Sequence, residues 1–175
     1  MDRARAKVWK LPRYRQRAGT LTPTQGRDGI EMSDTFSESE IGTLHKGAMG
    51  AGLLVSVSDR GFFDSFKEAG VLAKHVAAAR GSSESAVVKQ VAAGRGTGFG
   101  VTTPPAELES GTLDALRSSI ALLEAKAPGE VEAYRSFVLD LARSVAAAAP
   151  GGDDAEAGAI AKIEAALAGG GAPAS

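Results

Sequence analysis

Glu68-Ala-Gly-Val-Leu-Ala-Lys74 returns 88 residues later as Glu156-Ala-Gly-Ala-Ile-Ala-Lys162, with five of seven positions identical and the other two exchanging aliphatic residues. Each copy follows an apolar stretch of helical periodicity and a short Gly-containing break. Each therefore reads as the second arm of a helix–turn–helix hairpin, and two such hairpins in one chain describe a repeated helical architecture. The repeat carries no chemistry of its own.

The helix before the first copy has an explicit beginning. Ser37 and Glu40 stand at capping-box spacing, and Phe36 and Ile41 are placed for a hydrophobic staple. Ile41, Leu44, Ala48, Ala51 and Val55 then form one apolar face. Gly47, Gly50 and Gly52 each lose roughly 1 kcal/mol of helix propensity against Ala, so the close approach of a neighbouring helix is expected to offset them. Ser58-Asp59-Arg60-Gly61 ends this helix. The second runs over about 62–80, with Phe62, Phe66, Ala69, Ala73 and Val76 on one face and Val71 and Leu72 beside it. So wide an apolar surface predicts a central helix with several neighbours.

Gly81-Ser82-Ser83 breaks the second helix, a short one follows over about 84–93, and residues 94–105 read as a loop. A fourth helix over about 113–126 aligns Leu113, Leu116, Ile120 and Leu123. Beyond Ala127-Pro128-Gly129, Val131, Tyr134, Val138, Leu141 and Val145 make an amphipathic seam. Pro150-Gly151-Gly152 separates a sixth helix, capped by Asp153 or Asp154, that turns Ile160, Ile163 and Leu167 inward. No window alternates long enough for a strand. The expected fold is all-α, a compact bundle of about six helices containing two repeated hairpins.

Around that bundle, residues 1–31 read as a flexible basic extension, 32–168 as the domain, and 169–175 as a flexible tail. Residues 1–31 hold eight Lys/Arg against three Asp/Glu, a formal charge of +5, whereas the remainder carries −6. Met32 opens the cleaner sequence and is an alternative start to Met1. Without cysteine the chain forms no disulfide, thiolate zinc site or thiol nucleophile, which fits a reducing cytoplasm. The longest apolar stretch, Ala48 to Val57, is about half of the roughly 20 residues a spanning helix needs.

Candidate chemistry is sparse. Gly94-Arg-Gly-Thr-Gly-Phe-Gly100 has the glycines of a phosphate loop but neither a preceding strand nor a Lys-Ser/Thr, and reads as a flexible connector. His45 and His75 would stand level in a hairpin turning near Arg60. Without a Glu-x-x-His pair they read as polar residues sharing water or a backbone carbonyl rather than as metal ligands. Acids gather near both turns: Asp59, Asp64 and Glu68, then Asp153, Asp154 and Glu156. Such groups cap helix N-termini, and the alternative is Ca²⁺ or Mg²⁺ bound through their oxygens. No serine has a nucleophile elbow or a triad partner, so an enzyme is not expected. In the extension, Arg3, Arg5, Lys7, Lys10, Arg13, Arg15 and Arg17 interleave with Trp9 and Tyr14. Cations there suit nucleic-acid phosphates or an anionic surface, and the rings suit base stacking.

Gly47-Ala-Met-Gly-Ala-Gly-Leu-Leu-Val-Ser-Val-Ser-Asp59 and Phe62-Phe-Asp-Ser-Phe-Lys-Glu-Ala-Gly-Val-Leu-Ala-Lys74 resemble the tellurite-resistance-associated TerB-like helical proteins. Residues 130–146 and Glu156–Lys162 repeat the plan, so the likeness spans about residues 36–168. It implies an apolar helix ending near an Asp, a short turn and a Glu opening the next helix. It also implies Asp59 and Glu68 as the transferable metal pair, although Ala147 stands where a second Asp would be. The resulting expectation is a cytoplasmic, bacterial-like, non-enzymatic interaction or stress-associated module. It would hold a protein partner or a second copy, with a divalent-metal sensor or a nucleic-acid binder as alternatives.

Overall fold

The computed structural model describes residues 35–58, 66–100, 102–148 and 154–169, with only the backbone described for 66–69; all of these lie in the second of the chain's two units, residues 31–175. The described residues are helical, without strands. They form α1 (Glu38–Ser58), α2 (Phe66–Ser82), α3 (Ala86–Ala93), α4 (Pro105–Lys126), α5 (Val131–Ala146) and α6 (Asp154–Leu167), with a 3₁₀ turn over Pro128–Glu130.

The capping box forms as its spacing predicts. Ser37 N–H donates to Glu40 Oε2 at 2.7 Å, and Glu40 N–H donates to Ser37 Oγ at 3.3 Å. Glu40 also receives Lys126 Nζ, 2.6 Å from its Oε1, which ties the end of α4 to the start of α1. That ammonium hydrogen bond, and then the Ser37 backbone bond, hold the Glu40 carboxyl down at about 2 against an ordinary 4.5.

α1 is the centre of the domain. Its run from Gly47 to Gly52 is buried on every side, and it packs against α3, α4, α5 and α6. A helix surrounded in this way needs small residues, because interaxial distance is set by the side chains between two helices. A Cβ on Gly47 would stand 2.9 Å from the Tyr134 hydroxyl and 3.3 Å from the Leu116 backbone nitrogen. One on Gly50 would stand 2.5 Å from Thr112 Oγ1 and 2.8 Å from the Phe99 ring. The propensity lost at these glycines is thus offset by close packing within the fold.

The predicted stripe of α5 is buried throughout, and Tyr134, fully inside, donates its hydroxyl to Leu44 O at 2.8 Å. Burial pushes the pKa of that phenol well above its usual range. Of the α4 stripe, Leu116, Ile120 and Leu123 are buried and Leu113 is half-buried. α4 itself begins at Pro105, eight residues before the expected Leu113. Pro at the first helical position is favourable because its missing N–H has no helical partner there. Gly111 lies within the helix, where Phe99 packs across it, 3.0 Å from a Cβ built there.

α2 departs furthest from expectation. It lies at the periphery against α3 and α5, and none of its described side chains is buried. The two copies of the heptapeptide therefore occupy different settings. In α6, Ala159, Ile163 and Leu167 enter the core, whereas their counterparts Val71, His75 and Ala79 are only half-buried.

Candidate functional site

α2 is fixed from one side. The His75 ring stacks on Phe137 of α5 with centroids 6.0 Å apart, and its Nδ1 lies 3.3 Å from Ser144 Oγ. Leu72 reaches across to α1, where it occupies the space that a side chain at position 52 would fill. The opposite side carries Gly70, Ala73, Lys74, Ala77, Ala78 and Gly81, all exposed. A Cβ added at Gly70 or Gly81 meets nothing within 4 Å, so this surface is open as well as flat. Between α2 and α5 runs a shallow groove of about 410 Å³ lined by Val71, Lys74, His75, Ala78 and Ser144. The exposed charges on the described part of α2, Lys74 and Arg80, are both basic.

A second groove, of about 560 Å³, lies where the start of α1 meets the end of α3. Phe36, Ile41, Gly42, Gln90 and Ala93 supply much of its wall, with Glu38 and Arg95 as its charged members. His45 forms part of the lining and is 7% exposed, with Nδ1 2.8 Å from Val91 O and Nε2 2.9 Å from Gly96 O.

The glycine-rich segment is docked on α1, which corrects its reading as a flexible connector. Gly94 presses against the His45 ring, and Gly98 sits where a Cβ would be 3.1 Å from the Lys46 Cα. Gly96 and Gly98 adopt φ of +75° and +76°, a region that side chains disfavour. Phe99 is covered by the Lys46 ammonium, 4.7 Å from its ring centroid. An α-helix precedes the segment, so the strand-to-helix setting of a phosphate loop is not present here.

The two histidines engage different elements, His45 with α3 and the following loop and His75 with α5. Of the proposed metal pair, Asp59 lies outside the described residues, as does the Glu68 side chain; so do Asp64 and Asp153. Asp154 is exposed in the first turn of α6, and Glu156 is 4% exposed. No group of three or more His, Asp or Glu among the described residues is arranged to hold a metal ion. Arg3, Arg5, Lys7, Trp9, Lys10, Arg13, Arg15 and Arg17 also lie outside the described residues. No helix among the described residues is long and apolar enough to cross a membrane.

The open face of α2 was hidden in the sequence by counting Ala as apolar. A stripe of Ala and Gly has the period of a buried face but little area to bury, and Lys74 and Arg80 beside it were the available signal. Comparison with known proteins returns no match among family models, curated proteins or solved structures.

Proposed function

We infer that this domain is a non-enzymatic helical interaction module whose docking surface is the outer face of α2 and the adjoining groove. The observation that carries this reading is that α2 alone among the described α-helices has no buried described side chain. Polar groups suited to catalysis are spent on the fold instead: His45 meets two backbone carbonyls, Tyr134 holds Leu44 O, and Ser119 donates to Ala115 O at 2.7 Å. A stress-associated role accords with the TerB-like resemblance of residues 36–168 and belongs to the same reading.

The partner that fits is an amphipathic helix of another protein, with a narrow apolar strip bordered by Asp or Glu. Small residues on α2 let a second helix approach closely, and Lys74 and Arg80 supply cations at its edges. A second copy fits less well. Antiparallel pairing about Ala77 would set Lys74 of one molecule against Arg80 of the other, and like charges oppose association.

The test uses the full chain and two labelled synthetic helices that share an Ala/Leu strip, one bordered by Glu and the other by Lys. Anisotropy should show binding of the Glu-bordered peptide alone, weakened at least tenfold by Ala77→Arg and by Lys74→Glu with Arg80→Glu. Equal binding of both peptides, or indifference to Ala77→Arg, refutes the surface. A mass in solution that doubles with concentration identifies a second copy as the occupant instead.

A second reading concerns residues 1–31, whose +5 beside a −6 remainder favours a polyanion as an additional partner.

A further inference from the structure

His45 is buried on α1, and both of its ring nitrogens point at backbone carbonyls: Nδ1 at Val91 O, 2.8 Å away, and Nε2 at Gly96 O, 2.9 Å away. A carbonyl only accepts, and a neutral imidazole carries one N–H. Both contacts are hydrogen bonds only when the ring is an imidazolium. Val91 O belongs to the last turn of α3, where the helix dipole favours a cation. Gly94 leaves room for the ring, since a Cβ there would lie 2.7 Å from Cε1 and Cγ.

The charged groups around this ring come from α1 and the loop. Glu38 and Arg95 line the same groove, and Lys46 follows His45 in sequence with its ammonium turned to Phe99. α3 contributes the neutral Gln90, α4 faces α1 with uncharged residues such as Thr112 and Leu116, and α5 offers the Tyr134 phenol bound to Leu44 O.

We propose that His45 is a proton-operated latch that, when doubly protonated, fastens residues 94–100 and the end of α3 onto α1. Loss of one proton releases the Gly96 carbonyl and widens the 560 Å³ groove beside it. The proton that leaves is the one on Nε2. Gly96 is exposed and its carbonyl finds water, whereas Val91 O, which also accepts from Gly94 N–H at 3.2 Å, is a buried carbonyl at the end of α3 whose partial negative charge favours keeping the Nδ1 proton. Gain and loss of this proton need no covalent change, so the latch is reversible. Its action is separate from the α2 surface and stands whether or not that surface binds a helix.

The experiment combines imidazole ¹⁵N shifts of the full chain with amide exchange at Gly94 and Phe99, corrected for the intrinsic pH effect, from pH 5 to 8. Protection of these amides should fall roughly ten- to a hundred-fold as the ring loses its proton, the size expected for one charge-assisted hydrogen bond. Ring and loop should change with one midpoint, and the neutral ring should keep N–H on Nδ1. His45→Gln should abolish the step and His75→Gln should preserve it. A flat loop profile in the unaltered chain, separate midpoints for ring and loop, or the same step in His45→Gln overturns the latch. If His45→Gln does not fold, the midpoint comparison in the unaltered chain decides.

Discussion

Replacing Gly50 by Ala sets helix propensity against packing at one position. Ala is favoured over Gly inside a helix by about 0.8–1 kcal/mol, so propensity alone predicts a more stable protein. The added methyl, however, would stand 2.5 Å from Thr112 Oγ1, 2.8 Å from Phe99 Cε2 and 3.1 Å from Thr112 Cγ2. Thr112 is fully buried, and rotating it exchanges one close atom for another. Overpacking of this kind costs roughly 1–3 kcal/mol, so after the propensity gain the net expectation is a loss of about 0–2 kcal/mol. Gly42 lies in the same helix with nothing within 4 Å of its Cβ position, and Gly42→Ala should gain about 0.5–1 kcal/mol. Thermal unfolding followed by circular dichroism reads roughly 3–5 °C per kcal/mol for a domain of this size. Urea midpoints at constant slope provide the second measure. Thr112→Ala should recover part of the loss, since it removes two of the three close atoms. If Gly50→Ala matches Gly42→Ala, or its cost is untouched by Thr112→Ala, the packing account of α1 is wrong.

Glu40 is held at about 2 in the folded state against an ordinary 4.5, so its contribution is full above pH 4.5 and disappears as pH falls through about 2. Glu40→Gln should flatten the stability profile across that window in acid-dependent urea titrations, and an unchanged profile would count against the Lys126 tether. Tyr134→Phe deletes the bond to Leu44 O and should cost about 1–2 kcal/mol. Because its folded-state pKa is shifted upward, stability present below pH ~10 should fall above it, and the Phe variant should lack that loss in alkaline denaturation. A chain beginning at Met32 should lose binding to heparin or single-stranded DNA, which in the full chain weakens steeply with salt; equal retention by both chains would exclude residues 1–31 as the polyanion contact.

What the sequence revealed depended on how much area each side chain has to bury. The seam of α5 was legible because Val131, Tyr134, Val138, Leu141 and Val145 are large enough that only one face can satisfy them, and all are buried. The start of α1 was equally clear, since Ser37 and Glu40 bond each other across three residues, a signal local to the sequence. The length of α4 was not, because the large apolar stripe that marks it begins only at Leu113, whereas the helix starts at Pro105. His45 shows the same limit at the candidate sites. Its type suggested polar bonding to a carbonyl, but its partners are 46 and 51 residues away, on a helix end and a loop that only the fold brings together.

The two heptapeptides show why local identity did not extend to packing. Glu-Ala-Gly-x-x-Ala-Lys has small residues at most positions, so its placement is decided by the residues that follow. After Lys162 come Ile163, Ala166 and Leu167, all buried; after Lys74 come His75, Ala78 and Ala79, which offer the core a polar ring and two methyl groups. At about 25 cal/mol per Å² of apolar area, an Ile–Leu pair outweighs a His–Ala pair by a few kcal/mol, enough to seat α6 in the core and leave α2 outside. Converting His75 to Ile and Ala79 to Leu in α2 should therefore draw that helix inward. Exchange protection of its amides should rise, and a peptide that uses its outer face should bind no better. If protection is unchanged, residues other than this trailing pair set the position of α2.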